Sequence, residues 1–116
     1  MIRPPGSVPP PIERRPKRRN RVLLRGIISF ANGAHSFNCS IRDITDTGAC
    51  VVIPDQNIPS RLYLINIRDR LVYDAHVIWN NGVEIGVAFN KTIPIDEIVD
   101  PAKSYLRYLW LSQAAH

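Results

Sequence analysis

The sequence predicts a mainly β domain in which about six antiparallel strands form a small barrel or a strongly bent sheet, followed by one α-helix. Two observations predict this fold. Short runs of β-branched, aliphatic and aromatic residues recur between turn signals from residue 22 onwards. Helical spacing of apolar residues then appears near the C-terminus. The length of 116 residues suits one compact domain and leaves no room for a second core of ordinary size.

Residues 1–20 are predicted to form a flexible, disordered arm rich in proline and arginine, and residues 21–116 the folded domain. Six of the ten prolines lie within residues 4–16, and proline has no backbone N–H for a helix or a sheet ladder. Residues 1–21 hold seven cations and one acid, a net charge of +6, whereas the remaining 95 residues have a net charge of −1. The positive charge therefore belongs to the arm, which argues against a domain that binds nucleic acid over its whole face.

The sequence shows no signal for export or for membrane insertion. No apolar region follows the charges of the arm, as a secretion signal requires, and no apolar run approaches the roughly 18–20 residues that span a bilayer. A cytoplasmic location is therefore expected, with Cys39 and Cys50 as free thiols.

The first strands are separated by clear turn signals. Residues 22–30 form an aliphatic run of strand length. Asn32-Gly33 follows, a pair that tolerates positive φ at both central positions of a hairpin turn. Apolar and polar residues alternate over 37–43, as in a half-buried strand. The polar stretch 45–48 interrupts this pattern before residues 49–53 resume it.

Three further strands complete the predicted sheet. A loop at 54–59 precedes strands at 62–67 and 71–79, which flank a polar turn at 68–70. A second Asn-Gly pair, Asn81-Gly82, leads into the last strand. The alternating apolar residues of that strand are Val83, Ile85, Val87 and Phe89.

A C-terminal helix is predicted over residues 101–114. Asp100 suits the N-cap because its carboxylate can accept a free backbone N–H, and Pro101 suits the first helical position because it has no N–H to satisfy. Apolar residues at helical spacing should pack on the barrel, and these are Leu106, Leu109, Trp110 and Ala114.

Catalytic and metal-binding patterns are weak. His35, His76 and His116 are scattered and the two cysteines are eleven residues apart, so no spacing gathers zinc ligands. Asp74 and His76 can share a strand face, but without a neighbouring nucleophile they are interpreted as surface residues. No glycine-rich phosphate loop is present. The sequence therefore indicates a protein that is not an enzyme and needs no cofactor.

Two short motifs carry the functional interpretation. The first is a basic run at 13–21, whose arginines are Arg14, Arg15, Arg18, Arg19 and Arg21. Taken alone, this run is explained most simply as solvated charge or as a segment that binds any polyanion.

The second motif is Asp43-Ile44-Thr45-Asp46-Thr47-Gly48, at the connection between two strands. Asp43 and Thr45 are two residues apart, so in an extended backbone their side chains face the same way. Gly48 is expected to supply a tight or left-handed turn that a Cβ would obstruct. Taken alone, the motif is explained most simply as an Asx or ST turn that satisfies its own backbone.

Together the motifs resemble those of the PilZ domain family of bacterial cyclic di-GMP receptors. The signature of that family is Arg-x-x-x-Arg in a flexible N-terminal stretch, followed by Asp/Asn-x-Ser-x-x-Gly on a six-stranded barrel. Residues 14–18 and 15–19 both match the first motif, and residues 43–48 match the second with Thr45 in place of serine. Residues 83–89 are similar to the closing strand of the family. The resemblance extends from residue 13 to residue 89.

The resemblance implies a closed six-stranded barrel and a binding site for cyclic di-GMP. Arg15 and Arg19 are the preferred pair for holding the dinucleotide. The alternates, or additional phosphate contacts, are Arg14, Arg18 and Arg21. Asp43 and Thr45 would bind the ligand from the barrel surface, and Gly48 would let the backbone approach it. The chemistry suits these roles, because an arginine fork matches a phosphate or the O6/N7 edge of guanine and a carboxylate can accept from the guanine N1–H and amino group.

The main hypothesis is a receptor whose arm folds across the barrel when ligand neutralises it, a change that an unidentified partner protein detects. Two alternatives remain open. A PilZ-like domain can act as a protein adaptor without binding cyclic di-GMP. A basic arm can also bind nucleic acid or an anionic membrane, in which case any polyanion would bind with a steep salt dependence.

Overall fold

The computed structural model describes residues 20–54 and 57–114, which form a closed six-stranded antiparallel barrel and one C-terminal α-helix. The predicted barrel and helix are confirmed. The elements are β1 (Asn20–Phe30), β2 (His35–Ile44), β3 (Gly48–Val52), β4 (Arg61–Asn66), β5 (Leu71–Asn80), β6 (Glu84–Pro94) and α1 (Ser104–Ala114). Residues 1–19 of the predicted arm lie outside the described residues, so the division of the chain at residue 20 stays a prediction.

The barrel closes through pairing of its first and fourth strands. The strand order around the barrel is β1-β2-β3-β6-β5-β4, and β1 pairs with β2 along one edge and with β4 along the other. Alternate side chains of every strand point inward and exclude water from the interior. The fully buried members of this inner core are Ile28, Ile41, Val51, Leu64, Ala75 and Ile85.

A second core lies on the outside of the barrel wall, between the strands and α1. Ile27, Ile65 and Val72 are buried in it on β1, β4 and β5. Leu106 of α1 packs over them and is fully buried. A hydrogen bond also joins the helix to the barrel, since Trp110 Nε1 donates to the Ile67 carbonyl at 2.9 Å. This part of the wall is therefore apolar on both faces.

The two Asn-Gly pairs form hairpin turns of different geometry. Asn32 and Gly33 both have positive φ, +56° and +91°, as predicted, and Ala31 is also left-handed with φ of +56°. In the second pair only Gly82 has a positive φ, at +97°. Here the Asn81 side chain holds the turn by accepting the N–H groups of Val83 and Glu84.

Several boundaries differ from the prediction, and three of these differences have a clear physical reason. The strand β6 begins at Glu84, because Val83 still belongs to the turn and its side chain is 62% exposed. The same strand continues past Phe89 to Pro94 and pairs with β5 over its whole length. The apolar alternation ends at Phe89 because the next residues, 90–92, are polar and face solvent.

The third difference is at the start of the helix. Asp100 caps it as predicted, since its carboxylate accepts the N–H of Ala102 at 2.9 Å. Pro101–Lys103, however, forms a 3₁₀ turn, and the α-helix begins at Ser104. Helices commonly tighten to 3₁₀ geometry in a terminal turn.

The second core should make α1 a stabilising element of the domain. We expect Leu106→Ala to lower the free energy of unfolding by about 2–5 kcal/mol, because it removes a fully buried side chain and leaves a cavity. Urea unfolding followed by circular dichroism would measure the change. Leu111→Ala on the same helix is the matched control, since Leu111 is 51% exposed and should cost less than about 1 kcal/mol. Equal losses in the two variants would contradict this role of the helix.

Candidate functional site

An open pocket of about 450 Å³ lies on the outer surface of the barrel, where β2 ends and β3 begins. Its polar side is formed by Asp43, Thr45 and Thr47, and its apolar side includes Ile78 and Trp79 at the end of β5. The rest of the lining comes from Gly48, Ala49, Cys50, Gly86, Val87 and Ala88. The pocket thus joins the predicted Asp-x-Thr-x-x-Gly motif to an aromatic surface on the neighbouring strands.

The register of β1 places the first residues of this strand beside the pocket. The Cα of Arg21 lies opposite that of Asp43 in the β1–β2 pair, and Asn20 lies opposite Ile44. Asp43 in turn lies opposite Cys50 on β3, next to an irregularity between Ile41 and Asp43. The arm therefore joins the barrel beside the strand end that carries Asp43.

Thr45 stabilises the turn between β2 and β3. Its Oγ1 accepts the N–H groups of Thr47 and Gly48, both at 3.2 Å. Its backbone N–H donates to the Gly48 carbonyl at 2.9 Å, and the same carbonyl lies 3.3 Å from the hydroxyl. The simple explanation of the motif as an ST turn is therefore correct for Thr45, while the hydroxyl still lines the pocket.

Gly48 is required by a close contact and not by a left-handed turn. Of the two geometries expected for Gly48, a tight or a left-handed turn, the left-handed one is wrong, because Gly48 is the first residue of β3 and is absent from the described residues with positive φ. A Cβ placed on it would come within 2.5 Å of the Val87 carbonyl oxygen on β6. The expected obstruction is therefore real, but its cause is the close pairing of β3 with β6.

Gly86 and Trp79 are pocket residues that belong to neither sequence motif. They lie opposite each other on β6 and β5, and a Cβ on Gly86 would come within 2.1 Å of Trp79 Nε1. The signal in the sequence was an aromatic residue at the end of one strand and a glycine within the next. These two residues alone do not predict the contact, because their pairing depends on a register shift between Val77 and Trp79.

The two thiols have different environments. Cys39 lies in the inner core, and burial raises the pKa of its thiol to about 12. Cys50 is partly exposed and lines the pocket. Neither thiol forms a disulfide, as expected.

An ion pair lies next to the pocket on the outer face of the barrel. The Arg42 guanidinium on β2 binds the Glu84 carboxylate on β6 across β3. The hydrogen bond and the charge of Glu84 raise the pKa of Arg42. Because Arg42 is next to Asp43 in β2, the Arg42–Glu84 ion pair stabilises the packing of strands that line the pocket.

The structure gathers only part of the predicted site. Asp43, Thr45 and Gly48 line one pocket, and Arg21 lies on β1 with its Cα opposite that of Asp43. The other predicted ligand-binding residues lie outside the described residues, and these are Arg14, Arg15, Arg18 and Arg19.

The described residues also include titratable side chains outside the pocket. Within residues 20–54 and 57–114, no three His, Cys, Asp or Glu side chains cluster as metal ligands would. Asp74 forms an ion pair with Arg61 at 3.1 Å, and His76 Nδ1 lies 2.8 Å from Asn90 Oδ1. Among these residues, α1 and the other helical segments are too short or too polar to cross a membrane.

Comparisons with known proteins identify the relatives of this chain. The model of the PilZ domain family matches residues 13–106. No curated protein matches the sequence. A crystal structure of an uncharacterized Legionella protein, Lpg0364, is similar with 20% sequence identity and a TM-score of 0.41, over 78% of this chain and 86% of that one.

The role of Thr45 in the turn can be tested by removing only its hydroxyl. We expect Thr45→Val to lower the free energy of unfolding by about 1 kcal/mol, because the N–H groups of Thr47 and Gly48 lose their acceptor. Thr45→Ser keeps the hydroxyl and should retain most of that stability. Thr47→Val, which removes the hydroxyl of the other threonine in the same turn, is the positional control. The same loss in the Val and Ser variants at position 45 would contradict the role of the hydroxyl.

The environments of the thiols predict different reactivity. In the folded protein at pH 8, Ellman's reagent should react rapidly with Cys50 and slowly with Cys39, because Cys39 is buried and its pKa is about 12. In urea both should react at similar rates. Cys50→Ala should remove the rapid phase and Cys39→Ala should leave it. Rapid reaction of both thiols in the folded protein would show that the inner core is open to solvent.

Proposed function

The chain belongs to the PilZ domain family, and from that membership we propose that it is a non-enzymatic receptor for cyclic di-GMP. The ligand would bind in the pocket between Asp43 and Trp79, with the arginines of the arm closing over it. The observation that carries the proposal is the register that puts Arg21 opposite Asp43. It joins the basic segment 1–21, which has a net charge of +6, to the pocket wall that carries the second motif.

The pocket suits a nucleotide in size and in chemistry. Its volume of about 450 Å³ is typical of small-molecule sites. One wall supplies carboxylate and hydroxyl groups and the other supplies an apolar aromatic surface. Nucleobases have polar edges and apolar faces, so a pocket of this kind can bind both parts of a base at once.

Asp43 is the residue that would distinguish guanine from adenine. The N1–H and the exocyclic amino group of guanine are adjacent donors, and a carboxylate can accept from both. Adenine has no donor pair at those positions, so it would leave the carboxylate without these hydrogen bonds. The role of Asp43 is therefore specificity for the base.

The arginines of the arm would bind the two phosphodiester groups and the O6/N7 edges of guanine. Arginine forms paired, charge-assisted hydrogen bonds with such groups, which lysine cannot do. Arg15 and Arg19 remain the preferred pair, and Arg14, Arg18 and Arg21 the alternates. Thr45 would add a hydrogen bond by turning its hydroxyl hydrogen from the Gly48 carbonyl towards the ligand.

Binding in this arrangement changes both charge and shape near the pocket. The two negative charges of the ligand would offset part of the positive charge of the arm, and the arm would become ordered over the pocket. A partner protein would detect the changed surface. This mechanism needs no chemical step, which agrees with a family whose members typically act as ligand-binding adaptors.

Calorimetric titration with cyclic di-GMP tests the proposal directly. Arg15→Ala and Arg19→Ala should each weaken binding by about ten- to a hundred-fold, because a charge-assisted hydrogen bond contributes about 1.5–3 kcal/mol. Lys17→Ala is the matched control, since it removes the same charge without an arginine fork. Asp43→Asn should also weaken binding, with Asp46→Asn as its control on the same turn. Bound ligand should slow the reaction of Cys50 with Ellman's reagent, because Cys50 lines the pocket.

Competition experiments separate this function from the alternatives. Cyclic di-AMP, GTP and duplex DNA should displace the ligand poorly. Displacement by all three, with a steep salt dependence and equal losses in the Arg15, Arg19 and Lys17 variants, would instead indicate a general polyanion-binding arm. An absence of binding at tens of micromolar ligand would overturn the receptor function and favour a protein adaptor.

A further inference from the structure

We propose that the free side of α1 binds the same side of a second copy of this chain, with the two helices antiparallel. The contact surface, called here the helix patch, consists of Tyr108 and Leu111 on α1 and Val99 in the loop before it. None of the described residues that line the pocket belongs to α1. The result would be a symmetric dimer in which each copy keeps its own open pocket.

The helix α1 is apolar on two opposite sides. One side packs on the barrel through Leu106 and its neighbours in the second core. The other side carries Tyr108 and Leu111, which are three residues apart and therefore share a face of the helix. Arg107 is the single charged residue of α1. A helix with one buried side normally carries charged residues on its free side, whereas apolar residues on both sides indicate that both are covered.

The helix patch is strongly exposed in the single chain. The exposed fraction is 71% for Tyr108, 51% for Leu111 and 88% for Val99. Arg107 Nη2 donates to the Ile98 carbonyl at 3.3 Å, a bond that holds the loop carrying Val99 against α1. Grouped apolar side chains at a protein surface often mark an interaction site.

The N-terminal end of α1 is acidic. Three exposed carboxylates precede the helix, on Asp96, Glu97 and Asp100. Lys103 is the one cation among residues 95–104, so this end has a net negative charge of two.

The C-terminal half of α1 lies beside arginines. Arg25 Nη2 donates to Gln113 Oε1 at 3.1 Å, and the Arg70 guanidinium lies 5.6 Å from the ring centre of Trp110. Asp69, which precedes Arg70 in the chain, is neutralised by an ion pair with Arg68 at 3.0 Å. The charge along the helix therefore changes from acidic at its start to basic near its end.

This distribution of charge is complementary to itself. When two copies of α1 pack antiparallel, the acidic end of each helix meets the basic end of the other, and the helix dipoles also oppose one another. Parallel packing would bring like charges together. A purely acidic or purely basic partner would match only one end of the helix, so the charges favour a second copy of this chain.

The first experiment measures the mass of the chain in the absence of ligand by sedimentation equilibrium. Because the patch is small, the dimer should be weak, with a dissociation constant of about 10–100 µM. The average mass should rise from 13.1 kDa at low concentration towards twice that value at high concentration. Leu111→Glu should weaken the dimer at least about ten-fold, because it places a charge in the apolar contact. Val83→Glu is the matched control, since Val83 is also exposed but lies in the turn before β6.

The second experiment tests the antiparallel orientation at low salt. Glu97→Arg and Arg70→Glu should each weaken the dimer by about two- to ten-fold, because each change occurs twice in a symmetric contact. A chain with both changes has its charges reversed at both ends, so most of the affinity should return. Asp46→Arg, in the turn between β2 and β3, is the control for a change of net charge. Circular dichroism of each variant checks that the barrel is retained.

Three results would overturn the inference. They are a mass of 13.1 kDa at every concentration, equal effects of Leu111→Glu and Val83→Glu, and a chain with both charge reversals that dimerises no better than either single variant. All of these measurements are made without cyclic di-GMP. Their failure would therefore leave the proposed receptor function untouched, and an absence of cyclic di-GMP binding would leave the dimer untouched.

Discussion

The pairing of β1 on both of its edges is the constraint on which the rest of the structure depends. One edge bonds to β4 and closes the barrel, and the other fixes Arg21 opposite Asp43. The strand that completes the fold is thus also the strand that joins the charged arm to the pocket. A change of register by one residue would turn its inward side chains outward and move the end of the arm away from Asp43.

Contacts within the barrel itself stabilise the strands and the turn that form the pocket. The Thr45 hydroxyl satisfies two backbone N–H groups, and the Arg42–Glu84 ion pair links β2 to β6 across β3. Gly48 lets β3 approach β6 closely. In the proposed receptor, walls of this kind would add little to the ordering cost of binding, since the barrel side of the site is already formed.

Local sequence signals predicted the parts of the fold that depend on neighbouring residues. The left-handed Asn32-Gly33 turn and the Asp100 cap are examples, because each arises from the geometry of one or two residues. The C-terminal half of β6 was missed, because its polar residues carry no alternation. The contact of Trp79 with Gly86 was also missed, because it depends on a register shift between strands. For Gly48 an obstruction to a Cβ was expected from the turn, whereas the atom that a Cβ would meet is a carbonyl oxygen on another strand.

The second core divides the circumference of the barrel into two sectors. Parts of β1, β4 and β5 are covered by α1 and must stay apolar on both faces, while the pocket is lined by residues of β2, β3 and β6 and by the end of β5. The inner core and the second core are separate clusters, so substitutions at the pocket should have little effect on the packing of α1 against the barrel. The binding specificity of such a domain can therefore change during evolution while the packing that stabilises its fold stays the same.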